Sequence, residues 1–363
     1  MRTRFIYGCI FLAGLIWALS PACRKGDASI RSGQDAPEPY ELILPTGWPV
    51  PVYDFSQNSL TKQGIALGRY LFYDQRLSKD STVSCGFCHQ QFAAFGHFDH
   101  SLSHGIEGRI GTRTVPTLFN LIWKRSFMWD GGVNNLEIQP LTPITDPNEM
   151  GQDLGTLVRN LQSDAGYRLR FKAAFGTEEV TSQRIFRALT QFMATMVSFN
   201  SKYDSVMRQA PGVQFTLEEQ HGYEIFQQKC AACHKEPLFS DFSYRNNGLS
   251  KIPALNDIGR MKITNNASDY MKFGVPSLRN VLKSSPYMHD GRFFDIYLVF
   301  DHYDRGIVEN ASQDPALRTT LDPLLKNGLP LNVAEKRALY FFLNTLTDPG
   351  LINNPSLSEI LIR

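Results

Sequence analysis

Two short runs carry the most specific chemistry in the chain: Cys85-Gly86-Phe87-Cys88-His89 and Cys230-Ala231-Ala232-Cys233-His234. Each is Cys-x-x-Cys-His, the spacing at which two thiols add to the vinyl groups of a haem while the adjacent histidine reaches the iron. Cys85, Cys88, Cys230 and Cys233 therefore read as covalent anchors of two c-type haems, with His89 and His234 as iron ligands. A redox-active Cys-x-x-Cys or a zinc site would use the same residue types. Zinc sites, however, close with a second ligand pair near at hand, and neither run has one. The two remaining cysteines of the six are Cys9 and Cys23, which leaves no disulfide framework to build.

Each pentad needs an element to deliver it. Leu60, Ile65, Leu67 and Leu71 recur at near-helical spacing ahead of the first pentad. Thr216 and Glu219 stand in a capping-box relation ahead of the second, so a helix-then-pentad unit occurs twice. Helices are also expected over residues 154–175 and 182–207, the latter with a core stripe of Ile185, Leu189, Phe192, Met196 and Phe199. A last helix starts at Asn332 and Glu335 and turns Leu339, Phe342, Leu343 and Leu346 inward. No strand alternation is evident, so the fold class is mostly α.

At 363 residues the chain is long enough for two domains, each with its own core. A net charge of +2 and 20% charged residues give no electrostatic case for nucleic acid. The first residues, with Arg2, Arg4 and an apolar run from Phe5 to Leu19, have the form of an export signal. Two readings of its end stand: cleavage after Ser20-Pro21-Ala22, or lipidation of Cys23, which would be the chain's one link to a membrane. The expected organisation is a signal over residues 1–22 and a Pro- and Gly-rich tether over 23–56. Two cytochrome c-like domains follow, over 57–210 and 211–363, each holding one covalently bound haem.

Between the pentads runs "MWDGGVNNLEIQPLTPITDPNEMG", and after the second comes "PYMHDGRFFDIYLVFDHYDRG". With these motifs in this order, residues 57–347 resemble the bacterial di-haem cytochrome c peroxidase/MauG family. The resemblance implies that Trp129 lies between the haems as an electron bridge. It places Gln139, Pro143 and Glu149 around the peroxide-binding haem at His89, with Glu149 moving the proton between peroxide oxygens. The family's sixth ligand on the second iron lies fourteen residues after the histidine of "HDG", which from His289 reaches Tyr303. Tyrosine there is the MauG-like choice where ordinary peroxidases use methionine, and Met288 is the nearby rival.

"SLSHGIEG" resembles the loop whose histidine caps the peroxidatic iron at rest. That implies His104 as a resting ligand; His97 and His100 compete for the role, and a solvated loop histidine beside an open iron is the alternative. The family also holds calcium between the haems, through an asparagine that aligns with Thr114 and through carbonyls aligning with Ser284 and Pro286. Calcium takes oxygen ligands in flexible geometry, so threonine or water would have to substitute.

Three functions follow as expectations. The first is a periplasmic peroxidase reducing hydrogen peroxide with electrons from a small cytochrome c or cupredoxin. The second is a MauG-like oxidase that modifies a partner protein through a high-valent di-haem state. The third is a non-catalytic electron carrier or sensor. The family resemblance adds a homodimer as a candidate assembly.

Overall fold

The structure is a computed structural model that describes residues 36–359. The expected export signal and Cys23 lie outside the described residues. Among the described residues no helix is long and apolar enough to cross a membrane.

The first core forms where the Lys62–Tyr73 helix crosses the Ser182–Ala194 helix. Thr61 caps the first of these by accepting from Gly64 N, and Leu67, Leu71 and Phe72 are buried against Leu189 and Phe192. The crossing is close because position 68 is glycine: a Cβ there would lie 1.9 Å from Ala188 O. The second core repeats the device. The Leu217–Lys229 helix, with its Thr216–Glu219 capping box, crosses Val333–Asn344, and a Cβ at Gly222 would lie 2.0 Å from Ala338 O. Phe226, Phe239, Leu339 and Phe342 fill the space between.

Three expectations are corrected. The helix expected over 154–175 is two, Leu154–Ser163 and Ala165–Phe175, because Asp164 ends the one and its side chain caps the other. The helix expected over 182–207 stops at Ala194 and resumes at Lys202–Met207. Asn120 causes the interruption: its backbone N donates to Met196 O, and its amide pairs with both backbone groups of Ser198. These bonds satisfy the chain outside a helix. Finally, residues 36–56 are not a free tether. Trp48, Tyr53 and Phe55 pack on the first core, Val52 N and Tyr53 N donate to Ile122 O, and Trp123 Nε1 donates to Pro49 O.

Among the described residues, strand structure is limited to an antiparallel pair, Tyr244–Arg245 with Phe273–Gly274. Most residues that face the cavities stand on loops held by the helical frame. Tyr303 is an exception. It sits in a five-residue π-turn, His302–Gly306, inserted between the helices Ile296–Asp301 and Ile307–Gln313. Such π-turns are often found at functional sites.

Candidate active site

The first pentad opens onto a cavity of about 260 Å³ lined by Cys85, Cys88, His89, Gln139, Pro143 and Glu149. Ser84 caps the short Cys85–Cys88 helix by accepting from Phe87 N, which holds both thiols toward the cavity. Burial pushes each thiol up to about 12, so both are neutral. The imidazole of His89 is pulled down to about 4 by burial and is neutral too. Its Nδ1 lies 2.8 Å from Phe95 O. A carbonyl only accepts, so the proton is on Nδ1 and the Nε2 lone pair is left for a metal.

Glu149 reaches this cavity from the loop after the Leu141–Thr145 helix, with its backbone N donating to Asp146 O and its carbonyl accepting from Ile106 N. Burial, with the charge of Asp146, pushes its carboxyl up to about 7, while the hydroxyl of Ser103, 3.4 Å from Oε1, pulls the other way. His104 does not line the cavity. Its ring stacks on His100 at 4.0 Å, and His100 in turn lies 4.4 Å from His97. His97 is buried, with Nε2 3.0 Å from Thr114 Oγ1.

The second pentad opens onto an apolar cavity of about 280 Å³ lined by Cys230, Cys233, His234, Met288, His289 and Tyr303. His234 Nδ1 faces two carbonyls, Phe239 O at 3.2 Å and Pro276 O at 3.1 Å, so its Nε2 is also free to ligate. Burial pushes the Tyr303 phenol up to about 12, with the nearby amide of Asn247 acting in the lowering direction.

Thr114, Val115, Pro116, Met128 and Trp129 line both cavities and form the wall between them. Trp129 Nε1 donates to Thr114 O at 2.9 Å, and Trp129 O accepts from Gly274 N at 2.7 Å. Arg113 clamps the same loop, binding Asp130 at 2.6 Å and Asp257, far along the chain, at 2.6 Å.

Both cavities suit a flat, largely apolar group. Each is many times the roughly 10–15 Å³ that one water needs. In each, two neutral thiols stand beside an imidazole whose outer nitrogen is free. A further observation concerns Lys124, whose ammonium lines the second cavity, has no hydrogen-bond or ion-pair partner among the described residues, and is pulled down to about 8 by burial. A half-buried cation without an ion-pair partner suits an anionic ligand such as a haem propionate. The residues present therefore fit a haem in each cavity.

Known proteins resemble this chain in sequence and in fold. The family described as di-haem cytochrome c peroxidase matches residues 62–211. Methylamine utilization protein MauG of Methylorubrum extorquens is 34% identical over 314 residues, covering 83% of this chain and 83% of its own. Cytochrome c551 peroxidase of Nitrosomonas europaea is 36% identical over 232 residues, covering 62% of this chain and 68% of its own. The chain belongs to the di-haem cytochrome c peroxidase/MauG family. A solved MauG-like protein associated with microbial copper homeostasis superposes with a TM-score of 0.80 at 31% identity, covering 88% of this chain and 99% of its own. Membership makes the protein an oxidoreductase of the peroxidase type and implies two haems.

In this family member the structure gathers Trp129, Gln139, Pro143 and Glu149 with the first pentad, and Tyr303 and Met288 with the second. His104 is not gathered. Ser103, Lys124 and Asn247 were not expected. No local signal marks them, since a serine, a lysine and an asparagine in loops are ordinary surface residues until burial and partners are known. His289 had a readable signal: "VPTLFNLIWKRSFMWDGG" and "VPSLRNVLKSSPYMHDGR" are internal repeats, in which His289 stands where Trp129 does. Both turns close alike, through the bridges Phe127–Val133 and Tyr287–Phe293.

Proposed function

We propose that the protein is a periplasmic di-haem peroxidase that reduces hydrogen peroxide to water with electrons from a small redox protein, a cytochrome c or a cupredoxin. In this reading Cys85 and Cys88 anchor the peroxidatic haem with His89 as its ligand. Cys230 and Cys233 anchor the second, with His234 and Tyr303 as ligands. The periplasmic location rests on the leader over residues 1–22, and lipidation of Cys23 would keep the enzyme at the membrane. Thr114, Ser284 and Pro286 stay proposed calcium donors, although Thr114 Oγ1 already bonds His97.

The observation that carries the reading is Glu149, a carboxyl poised near neutrality in the cavity of the first pentad. A bound haem would supply the iron that takes peroxide and would relay to it the electrons of the redox partner. The chain supplies proton movement. Peroxide takes up two electrons and two protons and leaves as two waters. The Glu149 carboxylate accepts the proton of one peroxide oxygen and returns it to the other as the O–O bond breaks. The Gln139 amide, on the same cavity, can donate to the oxygen that develops charge. The His104 ring stacks on His100 and is not among the residues lining the cavity, so in this reading a bound haem would keep its peroxide position open at rest.

The sign of the pH dependence follows. Glu149 must be ionised to act as base, so the rate with peroxide rises as pH passes up through about 7 and levels off above. Ser103→Ala removes the hydroxyl that lowers this carboxyl, so the midpoint should move to higher pH by up to about one unit, the worth of one hydrogen bond. A pH–rate profile checks it; an unmoved midpoint means the contact is not felt. The reading as a whole is tested by peroxide-dependent oxidation of a reduced small cytochrome by the holoprotein, and an absence of steady turnover would sink it.

Tyr303 favours a second reading, a MauG-like oxidase that draws electrons from a partner protein. Tyrosinate is a hard anion that stabilises oxidised iron more than a thioether does. Tyr303→Met should raise the potential of one haem only. A redox titration with neither haem altered would assign that ligand elsewhere. Slow turnover with a small donor, beside prompt consumption of peroxide, would favour this second reading.

A further inference from the structure

His97 is a buried imidazole that the reading above leaves unused: it lines neither cavity and is only 2% exposed. Among the described residues it makes one hydrogen bond, between Nε2 and Thr114 Oγ1 at 3.0 Å, and its Nδ1 has no partner. Packing alone is served by an apolar side chain of that size without the cost of desolvating two nitrogens, so the bond to Thr114 is what the imidazole adds. The loop of the first pentad sets where His97 stands. Gln90 N donates to Gly96 O at 2.8 Å, closing a turn in which Phe95 O faces His89 Nδ1, and His97 follows directly.

Thr114 is the node at which three parts of the chain meet. Its N donates to His289 O at 2.8 Å, its carbonyl accepts from Trp129 Nε1 at 2.9 Å, and its hydroxyl meets His97. Thr114 and Trp129 both line both cavities. A β-branched side chain has few rotamers, so a bond that fixes Oγ1 also fixes the peptide whose carbonyl holds the indole. We propose that His97 is a positioning residue for electron transfer between the two haems, holding Thr114 and through it the Trp129 indole in the wall between the cavities. The inference rests on reading Trp129 as the bridge. The step moves one electron from the second haem to the first, and no bond is made or broken in the wall. His97 is not an iron ligand in this assignment; it ties the loop that orients His89 to the bridge.

The test uses the holoprotein with His97→Phe, which keeps a ring but loses the bond, and with His97→Gln, whose amide can reach Thr114 as Nε2 does. One electron is injected by pulse radiolysis and its redistribution between the haems is followed optically. Ultraviolet resonance Raman, taken as a difference against Trp129→Phe, reads the indole hydrogen bond. In His97→Phe redistribution should slow by roughly ten- to a hundredfold, as a misplacement of about 1 Å can cost. The indole bond should weaken while both irons keep their parental ligand signatures, and His97→Gln should recover most of the rate. If His97→Phe gives no holoprotein, Thr114→Val, which exchanges the hydroxyl for a methyl, carries the same expectation. Parental redistribution in the variant measured overturns the proposal, as does slowed redistribution with an unweakened indole bond. A rate in His97→Gln as low as in His97→Phe would trace the effect to packing and overturn it too. Trp129→Phe separates the two levels. If it slows redistribution while the His97 and Thr114 variants do not, the proposal alone fails; if it leaves the rate unchanged, the bridge reading fails and takes the proposal with it.

Discussion

Glu149→Gln is expected to slow peroxide reduction by roughly 10²–10⁴-fold, the worth of a positioned general acid–base group, while both haems stay attached with near-parental spectra. The substitution keeps the size of the side chain and its place on the cavity wall, so the cavity itself is preserved. What is lost is the exchangeable proton. The parent carboxyl titrates at about 7 because burial and the charge of Asp146 outweigh the Ser103 hydroxyl. An amide has no such titration, so the rise in rate through neutral pH should vanish in the variant. Rapid mixing of the oxidised holoprotein with peroxide across a pH series measures both effects. Parental rates with a parental pH profile would remove Glu149 from the mechanism.

Arg279→Met should destabilise the protein by about 3–5 kcal/mol, the cost of leaving one member of a buried ion pair without its partner. Arg279 is only 1% exposed and binds Asp204 through both terminal nitrogens, at 2.8 and 2.7 Å, while Nε donates to Pro237 O at 2.9 Å. Its guanidinium also lies 4.6 Å from the Trp48 ring, so it joins residues from three distant parts of the chain. Burial alone would raise the Asp204 carboxyl, but the Arg279 bonds and charge win and hold it below the usual range. A depressed carboxyl contributes stability that is present above its unfolded pKa of about 3.9 and is lost as pH falls through the lower folded value. The parent should therefore lose this contribution in acid. The variant, measured by thermal melting at neutral pH, should already lack it. The effect reaches the second cavity, because Leu278 N donates to Phe239 O, the carbonyl that orients His234. A loss below about 1 kcal/mol would mean the pair is not buried as described.

Much of the site was legible because its markers are local. A pentad needs only consecutive residues, and the capping boxes at Thr216–Glu219 and Asn332–Glu335 need only four, so the helices that carry and brace the second pentad were readable. The order of motifs led to Trp129, Gln139, Pro143 and Glu149, which share one cavity. The misses have tertiary causes. Asn120 breaks the helix after Ala194 from far away in sequence. Trp48 looked like part of a tether until Arg279 and Trp123 gave it partners. Ser103 matters only because the chain folds it against Glu149, and Asn247 only because it meets Met288 and the π-turn. His104 differs: its loop has the expected composition, but its ring stacks on His100 and is not among the residues lining the cavity.

The most direct test of the central claim, a peroxide site in the first cavity that is open at rest and served by Glu149, is paramagnetic resonance with optical spectroscopy on the fully oxidised holoprotein, before and just after a stoichiometric addition of hydrogen peroxide. A high-spin signal at rest that disappears promptly on adding peroxide, and far more slowly in Glu149→Gln, is the predicted result. Two low-spin haems that stay inert to peroxide in every redox state would contradict it and return the protein to an electron carrier.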